Sequence, residues 1–185
     1  TPTPAVVAPP SLTGAQLFGI ACASCHGSAG EGGVGPAFNT KEFQNGHEDQ
    51  ALVDTISNGH TATPVAWGDN LSASQIEFLV RYIRTLDPDY AASLTYSSGV
   101  SAIFKANCQV CHNSKKQSGG WDSTTYQAAM TSGDNGPVIL PGNAEESILA
   151  QSILGQGSQM PPIESLAQSD IQIILDWITV GAPEN

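Results

Sequence analysis

The chain has 185 residues, of which 40% are hydrophobic, only 6% aromatic and 12% charged, with a formal net charge of −11. That length suits one or two domains, and the acidity excludes nucleic acid and anionic membranes as favoured partners. No run approaches the roughly eighteen consecutive apolar residues that mark a membrane helix.

Residues 1–11 read as an extended N-terminal arm. Pro2, Pro4, Pro9 and Pro10 favour an extended chain without internal hydrogen bonds, and the arm reads as a processed terminus or a linker cut from an anchor. A short helix is expected next, with the apolar pair Leu17-Phe18 on its inner face. It leads into Cys22-Ala-Ser-Cys25-His26. A second such pentapeptide, Cys108-Gln-Val-Cys111-His112, follows the similar pair Ile103-Phe104, and the two together use all four cysteines. C-x-x-C-H is the attachment signal for c-type haem. Each thiol adds to one vinyl group, and two intervening residues let both sulfurs reach the same macrocycle edge. The following histidine binds the iron. A zinc site and a thioredoxin-like redox pair are the alternatives. Zinc would have to gather ligands from two distant motifs, and neither alternative accounts for a His after each second Cys.

The halves repeat each other beyond the motifs. Leu71–Ile83 and Leu166–Ile178 both carry apolar residues at helical spacing, with Ser72 and Ser169 as candidate N-caps. Tyr82 and Trp177 occupy the same slot and are expected to pack on the first helix of their own half. Asp87–Ser93, rich in helix breakers, is expected to be a linker. Two domains follow, 12–90 and 91–185. No alternating strand pattern stands out, and Gly/Pro-rich loops join the helices, so the fold class is all-α.

From about Leu12 onward the chain resembles tandem dihaem cytochromes made of two cytochrome c-fold domains. The run Gly30-Glu-Gly32-Gly33-Val-Gly35-Pro36-Ala-Phe38 is similar to the family loop whose Pro carbonyl accepts a hydrogen bond from the proximal His. The resemblance therefore implies that Pro36 orients His26. The second half is similar to a bacterial subfamily ending in Trp-Ile-x-x-Gly-Ala, here Trp177-Ile178-Thr-Val-Gly181-Ala182. That subfamily also has Pro141-Gly142-Asn143 and Ser147-Ile148-Leu149 ahead of Met160-Pro161-Pro162. It implies Met160 as the distal ligand of the second haem, a soft donor that raises the potential. A core gap-filling role for Met160 is the alternative, and Met130 is assigned to packing. The first half departs from the family, because relatives place a Met near Thr63 to Val65 and this half has none. Two histidines outside the motifs remain, both in this half. His60 lies in the distal loop and is the first choice of ligand, with His47 second. Trp67 is implied to donate its indole N–H to a haem propionate, with a core aromatic as the other reading.

The resemblance implies two covalent haem c groups and electron transfer rather than enzymatic chemistry. A bis-His first haem would have the lower potential and a His/Met second haem the higher. Redox partners with basic patches are favoured by the net charge. A periplasmic or extracellular location follows, because c-type haem is normally attached outside the bacterial cytoplasm. Three other readings stay open: a filament or oligomeric electron conduit joined by the surplus His and the arm, a dihaem peroxidase-type enzyme, and a ligand sensor with a five-coordinate first haem.

Overall fold

Twice in this chain a short helix runs into a cysteine and its backbone makes one further turn, and each turn anchors its own bundle. The computed structural model describes residues 12–60, 66–156, 158–162 and 164–185, so the arm at 1–11 and the loop segment 61–65 lie outside the described residues. The chain divides into two compact units, Thr1–Tyr90 and Ala91–Asn185. Both are built from helices and loops, and the fold is all-α.

In the first unit α1 (Gly14–Ala21) starts at Thr13. The Thr13 hydroxyl accepts from the Gln16 N–H, and the Gln16 side chain accepts from the Thr13 N–H. This reciprocal capping satisfies two otherwise orphaned donors. The single turn α2 (Ala23–His26), α3 (Lys41–Gly46), α4 (Asp49–Asn58) and a 3-10 turn at Trp67–Asp69 follow. Ser72 then caps α5 (Ala73–Thr85) with the same reciprocal pair, using Gln75. Along α5, Ile76, Leu79, Val80 and Ile83 are buried against Leu17 and Phe18 of α1. Their spacing is one face of a helix. The two backbones meet at Gly14, where a Cβ would overlap the Phe78 carbonyl oxygen. Tyr82 packs on Phe18 with ring centroids 5.3 Å apart.

The division between the units falls within the linker expected at Asp87–Ser93, but that segment is mostly helical, as α6 (Pro88–Ser93), rather than broken. Proline is a good first helical residue because its missing N–H would be unpaired there anyway. Asp87 completes the cap by accepting from the Asp89 and Tyr90 N–H groups at 2.9 and 3.4 Å.

The second unit opens with a π-helical turn, Tyr96–Val100, that runs into α7 (Ser101–Asn107). Then come a two-residue hairpin, β1 (His112–Asn113) with β2 (Lys116–Gln117), a 3-10 turn at Ser118–Gly120, α8 (Tyr126–Thr131), α9 (Ile148–Ile153) and α10 (Gln168–Thr179). The core here is aromatic. Phe104 of α7, buried completely, meets Trp121, Tyr96 and Trp177 edge-on at 5.3, 6.1 and 6.1 Å. The Trp177 indole donates to the Pro183 carbonyl at 2.9 Å, which satisfies its one polar atom. Ser169 is not the N-cap of α10. Ala167 holds that position, and its carbonyl accepts from the Asp170 and Ile171 N–H groups. Leu166 and Ile171 stand at the N′ and N4 positions of a hydrophobic staple and are both buried. Apolar burial thus fixes the helix start where the sequence offered a hydroxyl. Among the described residues no helix is long and apolar enough to cross a membrane.

One acid of the second unit responds to pH. Glu145 is half-buried, and its Oε2 has no hydrogen-bond partner among the described residues. Burial, with help from the neighbouring Glu146 charge, pushes its carboxyl up to about 7. The unfolded chain releases this proton near the ordinary carboxyl value, so the folded chain holds more protons across the interval up to about 7. Stability therefore falls as pH rises through that window. Glu145→Gln is expected to flatten this slope, so that the variant melts higher than wild type near pH 8 but not near pH 5, as followed by circular dichroism.

Candidate functional site

Helix geometry builds each motif. Cys22 ends α1, and its carbonyl accepts from the Cys25 and His26 N–H groups at 3.1 and 3.0 Å. Cys108 ends α7 and does the same for Cys111 and His112 at 3.1 and 2.9 Å. Residues three and four apart on such a turn share a face, so two thiols and one imidazole emerge together. Burial pushes the Cys22 and Cys108 thiols up to about 11, with the Cys25 charge adding to the effect at Cys22. The first thiol of each pair is therefore neutral and lies in apolar surroundings.

In the first unit His26 is buried and its Nδ1 lies 2.9 Å from the Pro36 carbonyl oxygen. Nδ1 donates in that pairing, which leaves Nε2 as the ring nitrogen with a lone pair to offer. The loop is laid onto the ring by its backbone: Gly32 N–H donates to the His26 carbonyl at 2.7 Å, and Gly35 N–H to the Cys25 carbonyl at 2.8 Å. Gly35 lies flush with the imidazole, and a Cβ there would stand 2.6 Å from His26 Cε1. Phe38 stacks on the ring at 4.0 Å and 20°. Gln44 holds Phe38 and α5 together by donating to the Phe38 and Ile83 carbonyls at 2.7 and 2.9 Å.

The two spare histidines part company. His60 lies edge-on to His26, with ring centroids 6.2 Å apart and planes at 83°. His47 is instead exposed and stacks on Phe43 at 4.4 Å, with Nδ1 3.0 Å from the Phe43 carbonyl oxygen. Its own carbonyl accepts from Arg84. Phe43 packs on Phe38 at 4.7 Å, which puts His47 behind the ring that His26 stacks against. Trp67 packs on the core of the first unit from its 3-10 turn.

In the second unit a cavity of about 410 Å³ gathers Cys108, Cys111, His112, Trp121 and Met160 on one lining. Burial holds the His112 imidazole below its ordinary pKa. Its Nδ1 finds no hydrogen-bond partner among the described residues, unlike that of His26. Trp121 lies against the ring at 5.1 Å and is held by its indole, which donates to the Ala129 carbonyl at 3.0 Å. Ser123 donates to the His112 carbonyl through both its hydroxyl and its N–H, at 2.8 and 3.0 Å. Sequence reasoning missed Phe38 and Trp121, yet a signal was there: each is the first aromatic residue after its motif.

Two thiols, an imidazole and a thioether on one apolar lining fit an iron porphyrin tethered through its vinyl groups, and they suit no closed zinc site. Comparison with known proteins agrees. Residues 10–83 match the family described as cytochrome c oxidase, cbb3-type, subunit III, and residues 108–164 match that described as planctomycete cytochrome c. The chain carries cytochrome c family domains. It is similar to the cbb3-type cytochrome c oxidase subunit FixP of Azorhizobium caulinodans, with 27% identity over 80% of this chain and 51% of that protein. For the FixP of Sinorhizobium medicae the figures are 25%, 80% and 52%. The chain thus spans about half the length of these relatives. A shorter match, 32% identical, covers 40% of this chain and 26% of the FixP of Bradyrhizobium diazoefficiens. Among solved structures, the KustC0563 c-type cytochrome aligns at a TM-score of 0.38 and 21% identity, over 40% of this chain and 98% of that one. Cytochrome CL of Methylophaga aminisulfidivorans aligns at 0.35 and 30%, over 39% and 49%.

Gly35→Ala is expected to push His26 off the Pro36 carbonyl. With haem attached at Cys22 and Cys25, its paramagnetic resonance should then show a changed axial field, while any signal from the second unit stays as in the unsubstituted protein. Gly46→Ala is the matched control, since a Cβ there meets nothing within 4 Å.

Proposed function

We propose that this chain is an electron carrier holding two haem c groups, one in each unit, with unlike distal ligands. One observation carries the reading: Cys108, Cys111, His112 and Met160 line a single apolar cavity, and the first unit repeats the thiols and imidazole with a second imidazole close by. Bound haem c supplies a one-electron ferric/ferrous couple. Cys22 with Cys25, and Cys108 with Cys111, would tether the groups as thioethers. His26 and His112 would be the proximal ligands. The Pro36 carbonyl holds His26 with Nε2 outward and makes the ring a stronger donor.

Met160 would be the distal ligand in the second unit, where a neutral thioether favours the reduced state. His60 would be the distal ligand in the first. Its 6.2 Å separation from His26 is of the order two imidazoles need to share one metal ion at about 2 Å per bond. His47, stacked on Phe43, is the second choice. Trp67, on the turn after the distal loop, would donate its indole N–H to a propionate. The first site is then the lower in potential and the second the higher. The protein itself moves no bonds. It supplies position, apolar surroundings and donor identity. The named relatives are subunits of an oxidase, which supports a place beside a respiratory enzyme outside the cytoplasm. The net charge favours basic surfaces on at least one partner.

Mass spectrometry of the denatured chain should show two retained tetrapyrroles, and none would end the reading. In low-temperature paramagnetic resonance of the oxidised protein, His60→Ala should turn the first haem high-spin and Met160→Ala the second, with His47→Ala silent. A redox titration should resolve two waves. Loss of the low-spin signal in His47→Ala, with His60→Ala unchanged, would exchange the two histidines.

A further inference from the structure

Under the proposed ligation His47 has no role at the iron, yet it is built into an ordered arrangement. Four rings stand in file. His26 and Phe38 stack with centroids 4.0 Å apart and planes at 20°. Phe38 and Phe43 follow at 4.7 Å and 40°, then Phe43 and His47 at 4.4 Å and 26°. The file starts at a buried imidazole and ends at an exposed one.

Polar contacts hold the file in place. Gln44 donates to the Phe38 carbonyl at 2.7 Å. Arg84 of α5 donates in turn to the Gln44 carbonyl and to its Oε1, at 2.9 and 3.2 Å. The same guanidinium donates to Asp49 at 2.7 Å and to the His47 carbonyl. His47 Nδ1 donates to the Phe43 carbonyl at 3.0 Å. That pairing fixes the tautomer and leaves Nε2 with its lone pair. The second unit is built otherwise. There Trp121 is tilted at 57° to His112, Phe104 lies edge-on to Trp121 at 82°, and both are buried.

We propose that the file from His26 through Phe38 and Phe43 to His47 is an electron path between the first haem site and the protein surface, with His47 as its outer end. The proposal rests on haem attachment at Cys22 and Cys25 and on His26 as a ligand. Electronic coupling falls steeply with distance, and most steeply across empty space. Rings in face contact preserve coupling that a gap would lose. The phenyl rings are neither oxidised nor reduced, because a haem couple is far from the potential of a benzene ring. One electron leaves a reduced metal complex at His47, which is thereby oxidised by one unit. The ferric iron takes that electron and becomes ferrous. No bond breaks and no proton moves.

The probe is a ruthenium bipyridine complex coordinated by His47 Nε2 on the full-length haem-loaded protein, its position checked by peptide mapping. The potential is poised so that the second haem is already ferrous. Light makes the complex a strong reductant, and absorbance follows reduction of the first haem. Phe43→Leu should slow this transfer several-fold, and Phe43→Tyr should recover most of the rate. Neither should alter the potential or paramagnetic resonance of the first haem, because Phe43 stacks on Phe38 and His47 rather than on His26. A second readout needs no transfer. In nuclear magnetic resonance of the fully reduced, unlabelled protein, the His47 ring protons should carry a ring-current shift that Phe43→Leu removes. Transfer in Phe43→Leu as fast as in wild type overturns the proposal, as does a loss that Phe43→Tyr does not recover. So does a His47 ring without that shift in wild type. A first haem that turns high-spin in His47→Ala also overturns it, since His47 would then be a ligand. Absence of a tetrapyrrole at Cys22 and Cys25 sinks the cofactor reading and this path together. A loaded protein whose rate ignores Phe43 sinks the path alone.

Discussion

Everything in this molecule hangs on one turn of backbone, in which a cysteine carbonyl accepts from the N–H groups three and four residues on. That turn holds Cys22, Cys25 and His26 together, and again Cys108, Cys111 and His112. A helix continued past this point would point its side chains around a cylinder, and a loop would let them drift. A single turn, pinned at one end by α1 or α7, leaves three reactive groups on one side and frees the chain to bend away. The remaining elements serve to enclose what those groups hold.

The enclosure is made differently in the two units. In the first, glycine lets the loop lie against His26, and a phenylalanine backs the ring. In the second, the hairpin at β1 and β2 replaces the glycine loop, and Trp121 takes the backing position. The Nδ1 of His26 is engaged by the Pro36 carbonyl, while that of His112 has no hydrogen-bond partner among the described residues. Hydrogen bonding from a ligand's second nitrogen strengthens it as a donor. Under the proposed ligation, the engaged imidazole belongs to the site read as lower in potential.

Charge is distributed unevenly along the chain. The formal net charge is −11, yet Lys105, Lys115 and Lys116 of the second unit are all exposed, whereas Lys41 and Arg84 of the first are paired with acids. Association responds to the local field at a contact more than to the sum over the chain.

Much of this was legible in residue order. The pentapeptides report their own geometry because ligation demands fixed spacing. The helices α1, α5, α7 and α10 report theirs because burial demands an apolar face, and Ser72 announced its cap. Pro36 was read from a family loop, and its carbonyl does lie against His26. The places where residue order misled share one cause, which is that local chemistry was outweighed by packing. Ser169 offered a hydroxyl, but buried Leu166 and Ile171 set the start of α10. Asp87–Ser93 does span the division between the units, but where its helix breakers suggested an irregular link, Pro88 begins a helix under the Asp87 cap. Nothing in the sequence ranked His60 above His47 beyond its place in a loop. In the structure Phe43 stacks on His47 and Arg84 donates to its carbonyl, while His60 lies beside His26, an arrangement that supports the proposed order without residue order having shown it. Residue order specified which chemistry this chain carries, since covalent spacing is local. That His60 comes to lie beside His26, and that Met160 shares a lining with Cys108 and Cys111, depended on contacts between segments far apart in the chain, and only folding brings those together.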